Sequence, residues 1–162
     1  MMSEPLNILV LCTGNSARSI LGEAAFNTLG AGRIRAFSAG SQPTGRPNPH
    51  ALALLAEKGI DAGFARSKSW DEFAVPGAPA MDVVITVCDS AAAETCPYWP
   101  GAPVRVHWGL PDPASAPREA APAAFAATWE ALAARVRAAL DLPLEGMSPA
   151  ERQAALAGLA QA

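Results

Sequence analysis

Four short apolar runs punctuate the chain: "LNILVL" (Leu6 to Leu11), "RIRAFS" (Arg33 to Ser38), "DVVITV" (Asp82 to Val87) and "VRVHW" (Val104 to Trp108). Each has strand length, and the third is nearly all β-branched and apolar, as a strand buried on both faces should be. Between them the period changes to that of a helix. Ile20, Leu21, Ala24, Ala25, Thr28 and Leu29 recur at helical spacing before Gly30. Asn48 is placed to cap a second helix with Pro49 at its first position, running towards Gly59. "RSKSWDEF" reads as a loop with a short helix. A long helix follows from about Pro122 to Leu140, with Phe125, Trp129, Leu132, Val136 and Leu140 on one face. "SPAE" (Ser148 to Glu151) marks a further helix start, with Leu156 and Leu159 available to dock.

Alternation of strands and helices implies an α/β fold: one domain with a four-stranded parallel sheet flanked by helices. The expected division is a domain over residues 1–143 and a C-terminal tail over 144–162. In such sheets ligands gather outside the carboxyl ends of the strands. Cys12, Cys88 and the loop after Trp108 all fall at predicted strand ends.

Composition narrows the function. The 162 residues carry a net charge of −3 with scattered Lys and Arg, which argues against a nucleic-acid partner. No apolar stretch approaches the roughly 18 residues of a membrane span, and "MMSEPLNILVL" reads as a first strand rather than a signal peptide. A cytoplasmic location is expected. Three dispersed cysteines (Cys12, Cys88, Cys96) do not make a structural disulfide framework. The two histidines, His50 and His107, stand apart, so no catalytic metal is expected. His50 reads as a surface residue, His107 and Trp108 as packing residues, and Trp70, Trp99 and Trp129 as core or loop anchors.

The chemistry concentrates in "LVLCTGNSARS" (Leu9 to Ser19), where a thiol ends a strand and an arginine follows six positions on. The backbone N–H groups of Thr13, Gly14, Asn15, Ser16 and Ala17 can wrap one tetrahedral oxyanion at a helix N-terminus. Gly14 offers unusual backbone freedom, and Asn15 tolerates left-handed geometry. Arg18 adds a planar fork for two oxygens. The same donors should lower the Cys12 pKa, and Ser19 can donate to the sulfur. A non-catalytic anion-binding module with an inert Cys12 is the bland alternative.

"VLCTGNSARSILGEA", with "SAGS" (Ser38 to Ser41), "NP" (Asn48, Pro49), "GID" (Gly59 to Asp61), "VITVCD" (Val84 to Asp89), "CP" (Cys96, Pro97) and "HWGLPDP" (His107 to Pro113), resembles the low-molecular-weight protein tyrosine phosphatase fold. It is closer still to the thioredoxin-linked arsenate reductases built on that fold. The resemblance covers about residues 6 to 140 and implies Asp112, in "LPDP", as a general acid. It also implies a relay from Cys12 through Cys88 to Cys96 that reduces arsenate to arsenite, with no bound cofactor and with thioredoxin or another thiol as external reductant. The alternative is a phosphatase that hydrolyses phosphate monoesters through a Cys12 phosphoenzyme. Two features favour reduction. Ala114, Ser115 and Ala116 follow Asp112 where the tyrosine phosphatases usually place an aromatic platform. Cys88 and Cys96 supply the thiol pair that a two-electron reduction needs. They stand eight positions apart, one more than in the reductases they resemble. Some relatives hold a potassium ion among residues matching Asn15, Glu23 and Ser38. Lys68 matches the further acidic ligand, so an ammonium paired with Glu23 is expected to replace the ion's charge.

Overall fold

Leu6–Cys12 forms strand β1, whose alternate residues face two cores. Leu6, Ile8, Val10 and Cys12 belong to the larger core, and Leu9 and Leu11 to the smaller. This two-sided burial is the signature of a central parallel strand. The structure is a computed structural model that describes residues 5–88 and 103–161. Strands β2 (Ile34–Gly40), β3 (Val83–Thr86) and β4 (Val104–His107) complete a parallel sheet in the order β2-β1-β3-β4. The chain leaves β1 for β2 on one side and returns to β3 on the other. The order therefore switches between the carboxyl ends of β1 and β3, where ligands enter such sheets. Strand β2 runs two residues beyond the expected stop, because Ala39 and Gly40 pair with Leu11 and Cys12.

Helix α1 (Arg18–Leu29), α2 (Pro49–Glu57) and α3 (Ala121–Leu140) cover the larger core. On α1 every residue from Ser19 to Phe26 is buried, while Thr28, expected on the apolar face, is exposed. A helix wedged between the sheet and two other helices has little polar face left. Gly22 permits this approach, since a Cβ there would lie 2.9 Å from Val10 Cγ1. Asn48 Oδ1 accepts from the His50 N–H and caps α2, a contact worth about 1 kcal/mol. The smaller core packs Trp70 and Phe73, from a 3-10 turn at Trp70–Phe73, and Met81 against the opposite face.

The last segment is helical and docked. Helix α4 (Pro149–Ala157) opens with a capping box between Ser148 and Glu151 and lies against β4 with Leu156 buried. The Arg33 guanidinium binds Glu145 and the carbonyls of Leu140 and Leu142, which fixes the turn between α3 and α4. Two side chains depart from expectation. His107 is exposed and meets Thr86 Oγ1, its register partner on β3, at 2.7 Å. His50 is half-buried, with its ring 5.4 Å from that of Phe125. Trp99 lies outside the described residues.

Candidate active site

The segment between β1 and α1 is a loop whose carbonyls are pinned outward. Thr13, Gly14 and Ser16 accept from the backbone N–H groups of Gln42, Thr44 and Asn48, and Ser67 Oγ donates to Gly14 O at 3.0 Å. None of the N–H groups of Asn15, Ser16, Ala17 and Arg18 donates to an acceptor among the described residues. Ala17 at the N-cap of α1 offers no capping side chain, so the helix opens with its N–H groups unanswered. Arg18 Nε is likewise buried without a protein acceptor. Unanswered donors converging on one loop fit a tetrahedral oxyanion.

Asn15 holds this shape. It takes the left-handed conformation (φ 45°), and its buried amide donates to Ser19 Oγ at 2.8 Å and Ser38 Oγ at 3.0 Å. Its Oδ1 accepts from the Lys68 N–H at 2.9 Å. Gly14 does not take the left-handed freedom expected of it. A Cβ there would stand 3.2 Å from Thr44 Cγ2, a tight fit to which the threonine would have to yield. Ser19 Oγ, expected to donate to the Cys12 sulfur, accepts from the Asn15 amide.

Cys12 and Cys88 are both reduced, buried thiols at the ends of adjacent strands. The two thiols are near enough to influence one another, and Cys88 Sγ lies 3.5 Å from Thr13 Oγ1. The proximity of Cys88 overturns the expected lowering of the Cys12 pKa. Hydrogen bonding to Cys88 holds the proton on Cys12, with burial and charge on Cys88 acting in the same direction. Arg18 and the Gly14 N–H pull the other way and do not prevail, so the thiol is pushed up. Cys96 lies outside the described residues.

The other wall is the loop after β4. Leu110 N–H donates to Val87 O, and Arg18 Nη1 donates to Leu110 O at 2.8 Å. Asp112 stands at the rim, its side chain 46% exposed and 4.0 Å from Arg18 Nη2. Its Oδ1 also caps the turn Pro113–Ser115 through the Ala114 N–H. The structure thus brings Cys12, Arg18, Cys88 and Asp112 to one edge of the sheet.

Beneath the loop, Ser38 Oγ donates to the buried Glu23 carboxylate. Lys68 is buried as well, but its ammonium donates to Arg66 O at 3.0 Å rather than forming the expected ion pair with Glu23. Their charges act at longer range. Burial pushes Glu23 up, with Ser38 and then Lys68 countering it, and burial pulls Lys68 down with Glu23 opposing. A potassium ion does not fit this donor set. Asn15 Oδ1 and Glu23 Oε1 already accept hydrogen bonds, Ser38 donates its proton to Glu23, and the fourth position carries a lysine in place of an acidic ligand. Among the described residues no cluster of His, Cys, Asp and Glu is arranged to hold a metal.

Two contributors escape a reading of the sequence. Gly40 lies so close to the loop that a Cβ would stand 2.4 Å from Thr13 O and 2.8 Å from Cys12 O. Ser67 ties the loop to the 44–45 segment through Gly14 O and the Gly45 N–H. Only "SAGS" hinted at the first, and nothing local marked the second.

The family profile for low molecular weight phosphotyrosine protein phosphatases matches residues 7–145. The chain belongs to that family. An arsenate reductase of Halalkalibacterium halodurans is 38% identical over 109 residues, covering 67% of this chain and 75% of that protein. A solved arsenate reductase in its phosphate-binding state superposes with a TM-score of 0.63 at 27% identity, covering 82% of this chain and 97% of that one. A thioredoxin-dependent arsenate reductase of Corynebacterium glutamicum shares the fold, with a TM-score of 0.61 at 22% identity over 85% of this chain. This chain spans 61% of that protein's length. Residues from 146 onward, including α4, lie beyond the family match. No helix among the described residues is long and apolar enough to cross a membrane.

Proposed function

We propose that this chain is an arsenate reductase that works through a thiol relay. The observation that carries the proposal is the pair of neighbouring buried thiols, Cys12 and Cys88, at the ends of adjacent strands beside the anion loop. Hydrolysis of a phosphate ester needs one thiol, whereas reduction of arsenate needs two electrons, which a thiol pair supplies. The curated relatives named arsenate reductases support the same reading.

Arsenate enters the loop, and its oxygens take the unanswered N–H groups and Arg18 Nε. The bound oxyanion, a base, accepts the proton that Cys12 carries. The Cys12 sulfur then attacks arsenic, an As–O bond breaks, and Asp112 protonates the departing oxygen so that it leaves as water. Cys88 gives up its proton and attacks the Cys12 sulfur. The S–S bond forms, the S–As bond breaks, and its electron pair stays on arsenic, which departs as arsenite. Cys96 in turn attacks Cys88, freeing Cys12 and moving the disulfide to the Cys88–Cys96 pair. An external dithiol, of the thioredoxin class, reduces that pair. Lys68 serves as the fixed positive charge under the loop.

The test is the fate of the disulfide. Peptide mapping after one turnover should find Cys88 joined to Cys96 in the wild type. Cys96→Ser should stop after about one turnover with Cys12 joined to Cys88. Sustained turnover by Cys96→Ser with thioredoxin, and no such disulfide, would refute the relay.

A further inference from the structure

We propose that the C-terminal helix α4, which lies beyond the family match, is a brace that positions the acid-bearing loop. The inference rests on Asp112 being the general acid.

Trp108 begins the five-residue path to Asp112 (Trp108, Gly109, Leu110, Pro111, Asp112). It is fully buried, and its ring stacks on Phe26 of α1 with centroids 5.8 Å apart. Its backbone is held from two sides: the N–H donates to Thr86 O, and the carbonyl accepts from Arg135 Nη1 of α3 at 3.2 Å. The indole N–H has its partner in the tail, donating to Leu156 O at 2.8 Å. A buried indole N–H needs an acceptor, and here α4 provides it.

The tail also closes the open side of the strand that feeds the loop. Strand β4 is the edge of the described sheet, with Val104 and Trp108 donating towards β3. Arg105 therefore turns its carbonyl outward, and Gln153 Nε2 of α4 donates to it at 2.9 Å. Leu156 is fully buried beside this strand, while Arg152 donates to the carbonyls of Leu144 and Met147 and keeps α4 at a fixed angle. Two tail residues thus grip β4 at Arg105 and Trp108. The loop beyond is next fixed at Leu110, by Val87 and by Arg18. A shift of Trp108 passes to Asp112 through a short, proline-containing segment with little slack. Arg18 touches the acid loop at Leu110, but the loop amides that make up the rest of the anion cradle are held by residues 42–48 and 67–68, on the side of β1 away from β4. The brace should therefore act chiefly on the proton-transfer step and leave anion affinity close to that of the wild type.

The experiment is a double-mutant cycle in the full-length chain. Trp108→Phe keeps a ring and deletes the N–H, and Leu156→Ala loosens α4 from the other side. Both should lower the single-turnover rate of arsenate reduction about tenfold, the scale of a slightly misplaced catalytic group, with phosphate competing at close to wild-type affinity. Asp112→Asn alone should slow the same step. Combined with Asp112→Asn, neither brace variant should cost further rate, because the group it positions is already disabled. A slow Asp112→Asn beside Trp108→Phe and Leu156→Ala at wild-type rate overturns the brace alone. Losses that multiply with Asp112→Asn, or a matching loss of phosphate affinity, show a general structural role and overturn it too. An Asp112→Asn that turns over like the wild type removes the acid and the brace with it. If Trp108→Phe does not fold, Leu156→Ala decides between the same outcomes.

Discussion

The Cys12 thiol shows how one neighbour can reverse a local rule. A cysteine beside an arginine and loop amides is ordinarily acidic. Here Cys88 holds the proton in place, and burial adds to its effect. In the proposed relay Cys12 therefore starts as a thiol and gives up its proton once the oxyanion is bound. Removing Cys88 takes away the largest raising influence and leaves Arg18 and Gly14 acting against burial alone. Cys88→Ala should therefore lower the Cys12 pKa. The pH profile of its alkylation rate, or of thiolate absorbance, should move to lower pH than in wild type. An unmoved profile would remove Cys88 from the control of Cys12. The loop residues were legible in the sequence because Cys12, Asn15, Arg18 and Ser19 lie within eight positions. The reversed pKa was not, because Cys88 is 76 positions away in sequence and reaches Cys12 only through the pairing of β1 with β3.

At the scale of elements, the alternating apolar runs foretold the four strands and the long helix to within a residue or two. Burial is the same constraint in the sequence as in the fold. What periodicity does not carry is contact between elements. Gly40, at the end of β2, makes room for the loop carbonyls. Ser67 and the Lys68 N–H hold the loop from a segment more than fifty positions away. Lys68 stands out only through the resemblance to the family, and its burial with the ammonium turned to Arg66 O differs from a direct pair with Glu23. Lys68 is buried under the loop, where its ammonium is proposed to stand in for an ion. Exchanging sodium for potassium should therefore leave both arsenate turnover and melting temperature unchanged. A marked rise of either in potassium would contradict the reading of Lys68 as the resident charge.

The whole molecule is one sheet edge at which separate parts of the chain meet: the β1–α1 loop, the end of β3 and the loop after β4. That edge was legible because parallel topology sends every strand end the same way. The docking of α4 was less so, since a capped helix start does not reveal what its apolar side will cover. The family's fold serves both ester hydrolysis and arsenate reduction, so the distinction falls on the second thiol and on the absence of an aromatic after Asp112. The most direct measurement is NADPH oxidation in the presence of arsenate, thioredoxin and thioredoxin reductase, run beside release of phenol from an aryl phosphate. A thiol relay predicts sustained arsenate-dependent oxidation that vanishes in Cys12→Ser and in Cys88→Ser, with aryl phosphate hydrolysis slow at best. Rapid aryl phosphate hydrolysis with no arsenate-dependent oxidation would contradict it and make the protein a phosphatase.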